Sequence, residues 1–369
     1  MPSGDNSPLF LLRSDSMNLF LESGYADMHS IMSLPYPFIF VIGGRGTGKS
    51  YGAFKEILEL PQGNKFLLLR RTGEEADAIS FTDLSPFQPV INDAPELYPP
   101  VVCGPLPHVK ALAGVWHGEP NDKGELRPAG EPIGYISALV RIYKIRGFYM
   151  EDVKLLLFDE FQPEKHVKRI RSEGESFLNS VETISRNREL RGEQPLKSVC
   201  LSNSESLACP IFQALGIISD LDKAFTKGKH EYVNPEKGIA VFKLPPSPIS
   251  ERKADTALYR AARDSDDFIT MSLKNDFDKS TYLYVEPAPI AEYKIVADIG
   301  QEVFIYRHKS APLYYVTRHQ SGPAKYKYNT DVMSIKRLKR EQKRFFEAWL
   351  RGNIKFSDYY SKHYLTSLL

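Results

Sequence analysis

The stretch Phe38-Ile39-Phe40-Val41-Ile42-Gly43-Gly44-Arg45-Gly46-Thr47-Gly48-Lys49-Ser50 limits what this chain can fold into more than any other. Five apolar β-formers run into a glycine-dense turn, the turn ends in Gly48-Lys49-Ser50, and a helix-compatible stretch follows from Tyr51 to Leu60. Gly43 to Ser50 meets the pattern G-x-x-x-x-G-K-[ST] in strand–loop–helix order, the context that gives the pattern its meaning. Glycines let successive N–H groups turn inward as an anion nest. The helix behind them points its positive end at the same place. Gly43, Gly44, Arg45, Gly46, Thr47, Gly48, Lys49 and Ser50 are therefore expected to bind ATP, with Lys49 on the β- and γ-phosphates and the Ser50 hydroxyl on Mg²⁺. The plainer alternative is a glycine-rich turn before a helix.

A phosphate loop alone predicts nucleotide binding, not hydrolysis. Its partner is Leu155-Leu156-Leu157-Phe158-Asp159-Glu160, a buried strand that ends in an acidic pair. Ligands of open α/β sheets bind at that strand end. Asp159 is expected to hold Mg²⁺ and Glu160 to polarise the attacking water. Lys49 and Asp159 lie 110 positions apart (159 − 49), which leaves room for further strands between loop and acid. That spacing, with Glu160 beside Asp159, predicts the ATPase class in which an additional strand separates the two and a glutamate is catalytic (ASCE). Asn203 ends the strand Lys197–Leu201 and is a candidate γ-phosphate sensor; the competing reading is a turn or cap residue. Arg186, in Ser185-Arg186-Asn187-Arg188-Glu189 at the end of a helical stretch from 176 to 191, and Arg146, before Gly147, are candidate arginines acting on a neighbour's nucleotide. On the residues alone a solvated or ion-paired surface role stands beside that one.

The rest of the chain reads as a mostly parallel α/β domain followed by something different. The run Lys65–Arg71 is a buried parallel strand ending in two arginines. From Ser85 to Pro132 the chain is rich in Pro and Gly and predicts short strands (Val101–Cys103, Val115–His117) among loops, then a strand from Gly134 to Ile142. Ser16 to Met32 is compatible with a short helix. Three prolines in Pro245-Pro246-Ser247-Pro248 mark a boundary, and a charged helix is expected over 251–263. Beyond Tyr282 short aromatic and β-branched strands (Tyr293–Asp298, Glu302–His308, Leu313–Arg318) predict a small sheet, with a helix from Ser334 to Arg351. The expected domains are 1–245, a linker 246–281, and 282–369.

Net charge is only +2 over 369 residues, so nucleic-acid contact must come from a local patch. Lys336, Arg337, Lys339 and Arg340 are the candidates, within a basic run from Lys325 to Arg344; a solvated helix face is the alternative. Three unpaired, widely spaced cysteines fit a reducing compartment. No apolar run reaches membrane-span length and the start of the chain is too short and acidic for a signal peptide, so no membrane partner and a cytoplasmic location are expected. A GTPase needs an N/T-K-x-D segment, and Thr226-Lys227-Gly228-Lys229 lacks the Asp. Glu160 argues against a small-molecule kinase, and a complete site against a non-catalytic scaffold. Another nucleic-acid ATPase, a helicase or non-packaging DNA translocase, is the remaining alternative.

GGRGTGKS, KFLLLRR, LLLFDEF, ISRNRE and VCLSN, in that order, resemble the DNA-packaging ATPase of small protein-primed tailed phages that use a packaging RNA. Ser250–Lys253 and Met271–Asn275 resemble that family's linker. The resemblance implies a pentameric ring at a capsid portal that drives double-stranded DNA inward by ATP hydrolysis, with double-stranded DNA, packaging RNA, portal and further copies of itself as partners. It implies Lys49 and Ser50 on phosphate and Mg²⁺, Asp159 as the Mg²⁺ acid, Glu160 as catalytic glutamate, Arg186 as the finger supplied in trans, and Arg146 as a second basic residue in trans. It implies an RNase-H-like C-terminal domain without nuclease activity; Asp298 sits at a strand end, with no convincing carboxylates around it for two metals. It also implies a place in the infected host's cytoplasm, transiently at the portal and absent from the mature virion.

Overall fold

The computed structural model describes residues 17–162, 170, 172–203, 207, 209–261 and 285–368. The segment 271–275 and most of the expected linker therefore lie outside the described residues. The first sheet has nine strands in the order β3-β4-β5-β2-β6-β7-β1-β9-β8. These are β1 Phe38–Ile42, β2 Lys65–Arg70, β3 Val101–Leu106, β4 Val109–Pro120, β5 Leu126–Ala138, β6 Val153–Asp159, β7 Lys197–Ser202, β8 Glu231–Asn234 and β9 Ile239–Lys243. From β5 to β9 every pairing is parallel. β8, β4 and β3 pair antiparallel at the two ends.

The central strands read as unbroken apolar runs because both faces are covered. Alternate residues go to opposite sides: Phe40 and Ile42 join one buried cluster with Leu67, Leu69 and Phe158, whereas Ile39 and Val41 join another with Phe66, Leu68 and Leu157. Such strands cannot slip by one residue without exchanging their two faces. The loop and the acidic pair are thus fixed at one edge of the sheet.

The Pro- and Gly-rich region departs from expectation. It holds two long antiparallel strands, β4 of 12 residues and β5 of 13, which include the stretch expected as loop. Turn chemistry at Asn121–Glu125 closes the hairpin: the Asn121 carboxamide oxygen accepts from the N–H groups of Lys123 and Glu125. The outer halves are exposed, so no hydrophobic alternation announced them. The expected strand 134–142 ends at Ala138 and passes into a 3₁₀ stretch, Leu139–Ile145. The early helix is only Met28–Ser33, capped by Asp27.

The second sheet has the order β13-β10-β11-β12-β14, with β10 Tyr293–Ile299, β11 Val303–His308, β12 Tyr314–Thr317, β13 Tyr326–Tyr328 and β14 Ile354–Phe356. β10, β11 and β12 form an antiparallel meander, β13 runs parallel to β10, and β14 runs parallel to β12. The expected helix 334–351 is two helices, Val332–Glu341 and Lys343–Leu350, divided at Gln342. Gln342 is buried and donates to the Tyr328 hydroxyl, which ties the break to the sheet. A last helix, Tyr359–Leu368, lays Tyr359 into a core cluster of the first sheet.

Candidate active site

β1 delivers the phosphate loop to the carboxyl edge of the large sheet. Gly46 and Gly48 hold φ of +66° and +86°, a region closed to most side chains, and Gly48 starts the helix Lys49–Leu58. Lys49 is buried, and its ammonium donates to the carbonyls of Gly43 at 2.9 Å and Gly44 at 2.8 Å. Burial pushes its pKa down to about 8; Asp159 opposes the shift, Lys253 adds to it and Glu160 opposes it. The lead-in segment braces the loop, the Ala26 N–H donating to the Thr47 carbonyl at 2.8 Å. Beside Gly46 and Gly48 lies a cavity of about 660 Å³, whose lining includes Tyr25, Asp27, Tyr51 and Asp93.

The Ser50 hydroxyl donates to Asp159 Oδ1 at 2.9 Å, joining the loop to the end of β6. β7 lies between β6 and β1, so an additional strand does separate acid from loop. Asn203 follows directly after Ser202, whose carbonyl accepts from the Gly43 N–H at 3.2 Å; it is half-buried between loop and acidic pair. Asp159 is buried, while the side chain of Glu160 is 55% exposed and its backbone takes the left-handed φ of +60°. Such a conformation in a non-glycine residue is disfavoured and gathers at functional sites. Ser50 and Asp159 present oxygen donors of the kind a hard divalent cation prefers, so the pair fits Mg²⁺.

Sequence reasoning left Arg70 as a strand end only. Its Nη1 lies 2.9 Å from Asp159 Oδ2 and 3.1 Å from Glu160 Oε2, so one guanidinium holds both acids. Arg71 points the other way and pairs with Glu173, Nε to Oε1 at 2.6 Å and Nη2 to Oε2 at 3.1 Å, both side chains buried. The signal for both was two arginines at the carboxyl end of a buried strand that neighbours the acidic one.

The remaining arginines lie elsewhere. The helix that starts at Glu173 ends at Ser185, short of the expected 191; Arg186 and Asn187 take left-handed φ of 46° and 57° and break it. Glu173 sits at the loop edge, and the helix runs back along the sheet to the start of β6, where Arg188 Nη1 donates to the Val153 carbonyl at 3.0 Å. At 1.5 Å per residue, 13 residues carry the chain roughly 20 Å from Glu173 to Arg186. Arg186 is therefore at the edge opposite its own loop. Arg146 is exposed in the loop leading into β6 and belongs to that same edge. Arg188 is fully buried, donating also to the carbonyls of Ile184 and Ser185, which removes it as a finger. Around these arginines Tyr143, Phe148, Tyr149 and Leu190 are exposed.

Lys336, Arg337, Lys339 and Arg340 all lie on the helix Val332–Glu341 and are exposed, with Ile335 and Leu338 buried beneath. Arg337 is engaged within the fold, bonded to the Lys327 carbonyl at 2.6 Å and lying over the Tyr328 ring. Asp298 is buried and accepts from the Gln301 N–H at 2.9 Å, closing the β10–β11 turn.

A phosphate loop on one strand, an acidic pair ending another and one strand between them define a phosphate-loop ATPase domain of the additional-strand type. The chain belongs to the family described as Podovirus DNA encapsidation protein (Gp16), which matches residues 140–339. It is 26% identical over 254 residues to a DNA packaging protein of Bacillus phage B103, and 26% identical over 256 residues to that of Bacillus phage phi29. The match covers 67% of this chain but only 66% and 64% of those relatives, just under two thirds of their length. The fold is similar to that in the bacteriophage Phi-29 viral genome packaging motor assembly (TM-score 0.62, 18% identity, 93% of this chain and 98% of that one). It is similar also to the Phi-28 gp11 DNA packaging motor (TM-score 0.57, 18% identity, 90% and 93%).

Proposed function

We propose that this chain is an ATP-driven motor that translocates double-stranded viral DNA into a preformed capsid, hydrolysing ATP between the subunits of a ring. The observation that carries the chemistry is the 2.9 Å bond between Ser50 and Asp159, with Glu160 next in the chain. Family membership and relatives named as DNA packaging proteins support the substrate. Lys49 and the loop N–H groups bind the β- and γ-phosphates, and the neighbouring cavity suits the nucleoside end of ATP. Ser50 and Asp159 hold Mg²⁺, which when bound neutralises charge on the phosphates. Glu160 takes a proton from the attacking water, and its exposure suits that contact. Arg70 steadies both carboxylates. Asn203 is the γ-phosphate sensor in this reading.

No arginine at the far edge reaches its own site, so Arg186, with Arg146 as a second candidate, acts on the next subunit. The exposed aromatic residues around them suit contact with a second copy, and we assign a homopentamer. Packaging RNA and the portal are the further partners, with Lys336, Lys339 and Arg340 offering the nucleic-acid surface. The unit 282–369 is assigned no nuclease activity; incubating the whole protein with DNA and Mn²⁺ checks this, and metal-dependent cleavage lost in Asp298→Ala would refute it. The site of action is the infected host's cytoplasm, and among the described residues no helix is long and apolar enough to cross a membrane.

The test is ATP turnover with and without duplex DNA, alongside DNA uptake into capsids. DNA-stimulated hydrolysis and uptake are expected. Hydrolysis indifferent to DNA, with no uptake, would leave an ATPase of another kind.

A further inference from the structure

Residues after the large sheet return to the phosphate loop instead of leaving it. Leu244 packs on Gly43, where an added Cβ would stand 2.9 Å from Leu244 Cδ1. The Ser247 hydroxyl caps the short helix Pro248–Ala254 and donates to the Gly24 carbonyl in the lead-in. Ile249 is buried against that same glycine. These contacts aim the last turn of the helix at the loop. There Lys253 donates from its ammonium to the Arg45 carbonyl, and a Cβ on Gly46 would collide with its Nζ. Burial holds the Lys253 pKa below the usual lysine range.

Two ammonium groups thus converge on one turn of backbone. Lys49 covers the carbonyls of Gly43 and Gly44 from within, and Lys253 covers that of Arg45 from outside. Like charges this close repel, and the acids that compensate Lys49, Asp159 and Glu160, stand on its own side of the loop. A second cation beside the outward glycine of a phosphate cradle suits a polyanion with charge at both ends of the cradle.

We infer that Lys253 donates to the α/β end of the bound nucleotide's phosphate chain, and so ties the linker to the nucleotide state of its own subunit. This rests on the ATPase reading above and adds a phosphate contact in cis from outside the loop. ATP or ADP draws Lys253 from the Arg45 carbonyl onto phosphate oxygen, which tightens the helix Pro248–Ala254. AMP lacks the β-phosphate and draws it less.

The test uses the full chain and Lys253→Ala, Lys253→Met and Lys253→Arg. Affinities for ATP, ADP and AMP are measured by competition with a fluorescent nucleotide, and amide exchange is followed over residues 248–254. Lys253→Ala and Lys253→Met are expected to lose roughly tenfold in affinity for ATP and ADP, as the loss of one charge-assisted hydrogen bond does, with a smaller loss for AMP. Lys253→Arg is expected to retain most of it. Nucleotide should protect 248–254 in the unmodified chain and in Lys253→Arg, but not in Lys253→Ala. Equal affinities in all four proteins overturn the inference. So does an equal loss in Lys253→Arg and Lys253→Met, which would mark a packing role. If the unmodified chain binds no nucleotide, the ATPase reading fails instead.

Discussion

The two edges of the large sheet are built on opposite plans. At the loop edge the groups of the site are paired inside the same chain: Lys49 on loop carbonyls, Ser50 on Asp159, Arg70 on both acids, Arg71 on Glu173. At the far edge Arg146 stands exposed, Arg186 half-exposed, and large apolar side chains face outward beside them. One edge gathers the groups assigned above to phosphate, Mg²⁺ and water. The other has paired cations too, Arg191 with Glu151 and Glu193, but it also carries Arg146 and Arg186 beside exposed apolar side chains. The helix Glu173–Ser185 joins the two, its first residue fixed at one edge and its end at the other. Under the function proposed above, the difference makes the protomer half of two sites, the arrangement a ring of copies would need.

The largest expected effect tests the loop edge. Glu160→Gln should keep ATP affinity and lower turnover by about two orders of magnitude or more, as loss of a general base does. Near-normal steady-state turnover would remove Glu160 from the chemistry. The variant keeps the shape of the side chain, so the fold at the left-handed turn is preserved.

The far edge is tested by Arg186→Gly. Glycine relieves a left-handed φ of 46°, so melting temperature should hold or rise while hydrolysis is largely lost and ATP binding stays. Mixing Arg186→Gly with Glu160→Gln should restore some turnover, because one neighbour order pairs an intact Glu160 with an intact Arg186. Full activity in Arg186→Gly alone would end the role and move attention to Arg146. Proven co-assembly without any recovery would argue that Arg186 works inside its own subunit, against the roughly 20 Å that the helix places between them.

Arg188 sharpens the contrast, since it sits two residues from Arg186 and does the opposite job. It is buried and donates to three carbonyls. Arg188→Ala should destabilise the fold by about 3 kcal/mol or more, because buried acceptors lose their donors. Denaturant unfolding measures it; a loss of turnover at unchanged stability would contradict the structural role.

How much of this was legible in the sequence follows the same division. The loop edge was readable almost residue by residue, because phosphate chemistry fixes residue types at fixed spacing and buried parallel strands are continuous apolar runs. Asp159, Glu160, Ser50 and the additional strand all lie where that reading expects them. Arg70, Glu173 and Lys253 were not readable, because each acts across a long sequence separation that only the strand order closes. The far edge was half legible. ISRNRE marked arginines, but only the break at Ser185 separates the outward Arg186 from the buried Arg188. The β4–β5 hairpin escaped because its outer half is exposed on both faces and so carries no alternation. In the C-terminal unit the aromatic strands were clear, while the division of one basic helix into two at Gln342 depends on a tertiary contact with Tyr328.

The smallest effect concerns the pH response of Lys49, whose burial in the loop brings its charge into play a little above neutrality. Burial brings its pKa down to about 8 from the ordinary 10.5. Between those values the unfolded chain binds the proton and the folded chain does not. Stability therefore rises with pH across that window instead of falling, the reverse of a lysine that gains a partner on folding. Phosphate binding wants the charged form, so nucleotide affinity should move the other way and weaken as pH passes 8, by no more than tenfold per unit. Titrating affinity and unfolding free energy from pH 6.5 to 9.5 separates the two trends. Lys49→Ala should abolish the opposing slopes along with most of the affinity. Flat affinity through pH 9 would mean that Lys49 keeps its proton in the folded chain, and that the acids Asp159 and Glu160 outweigh its burial.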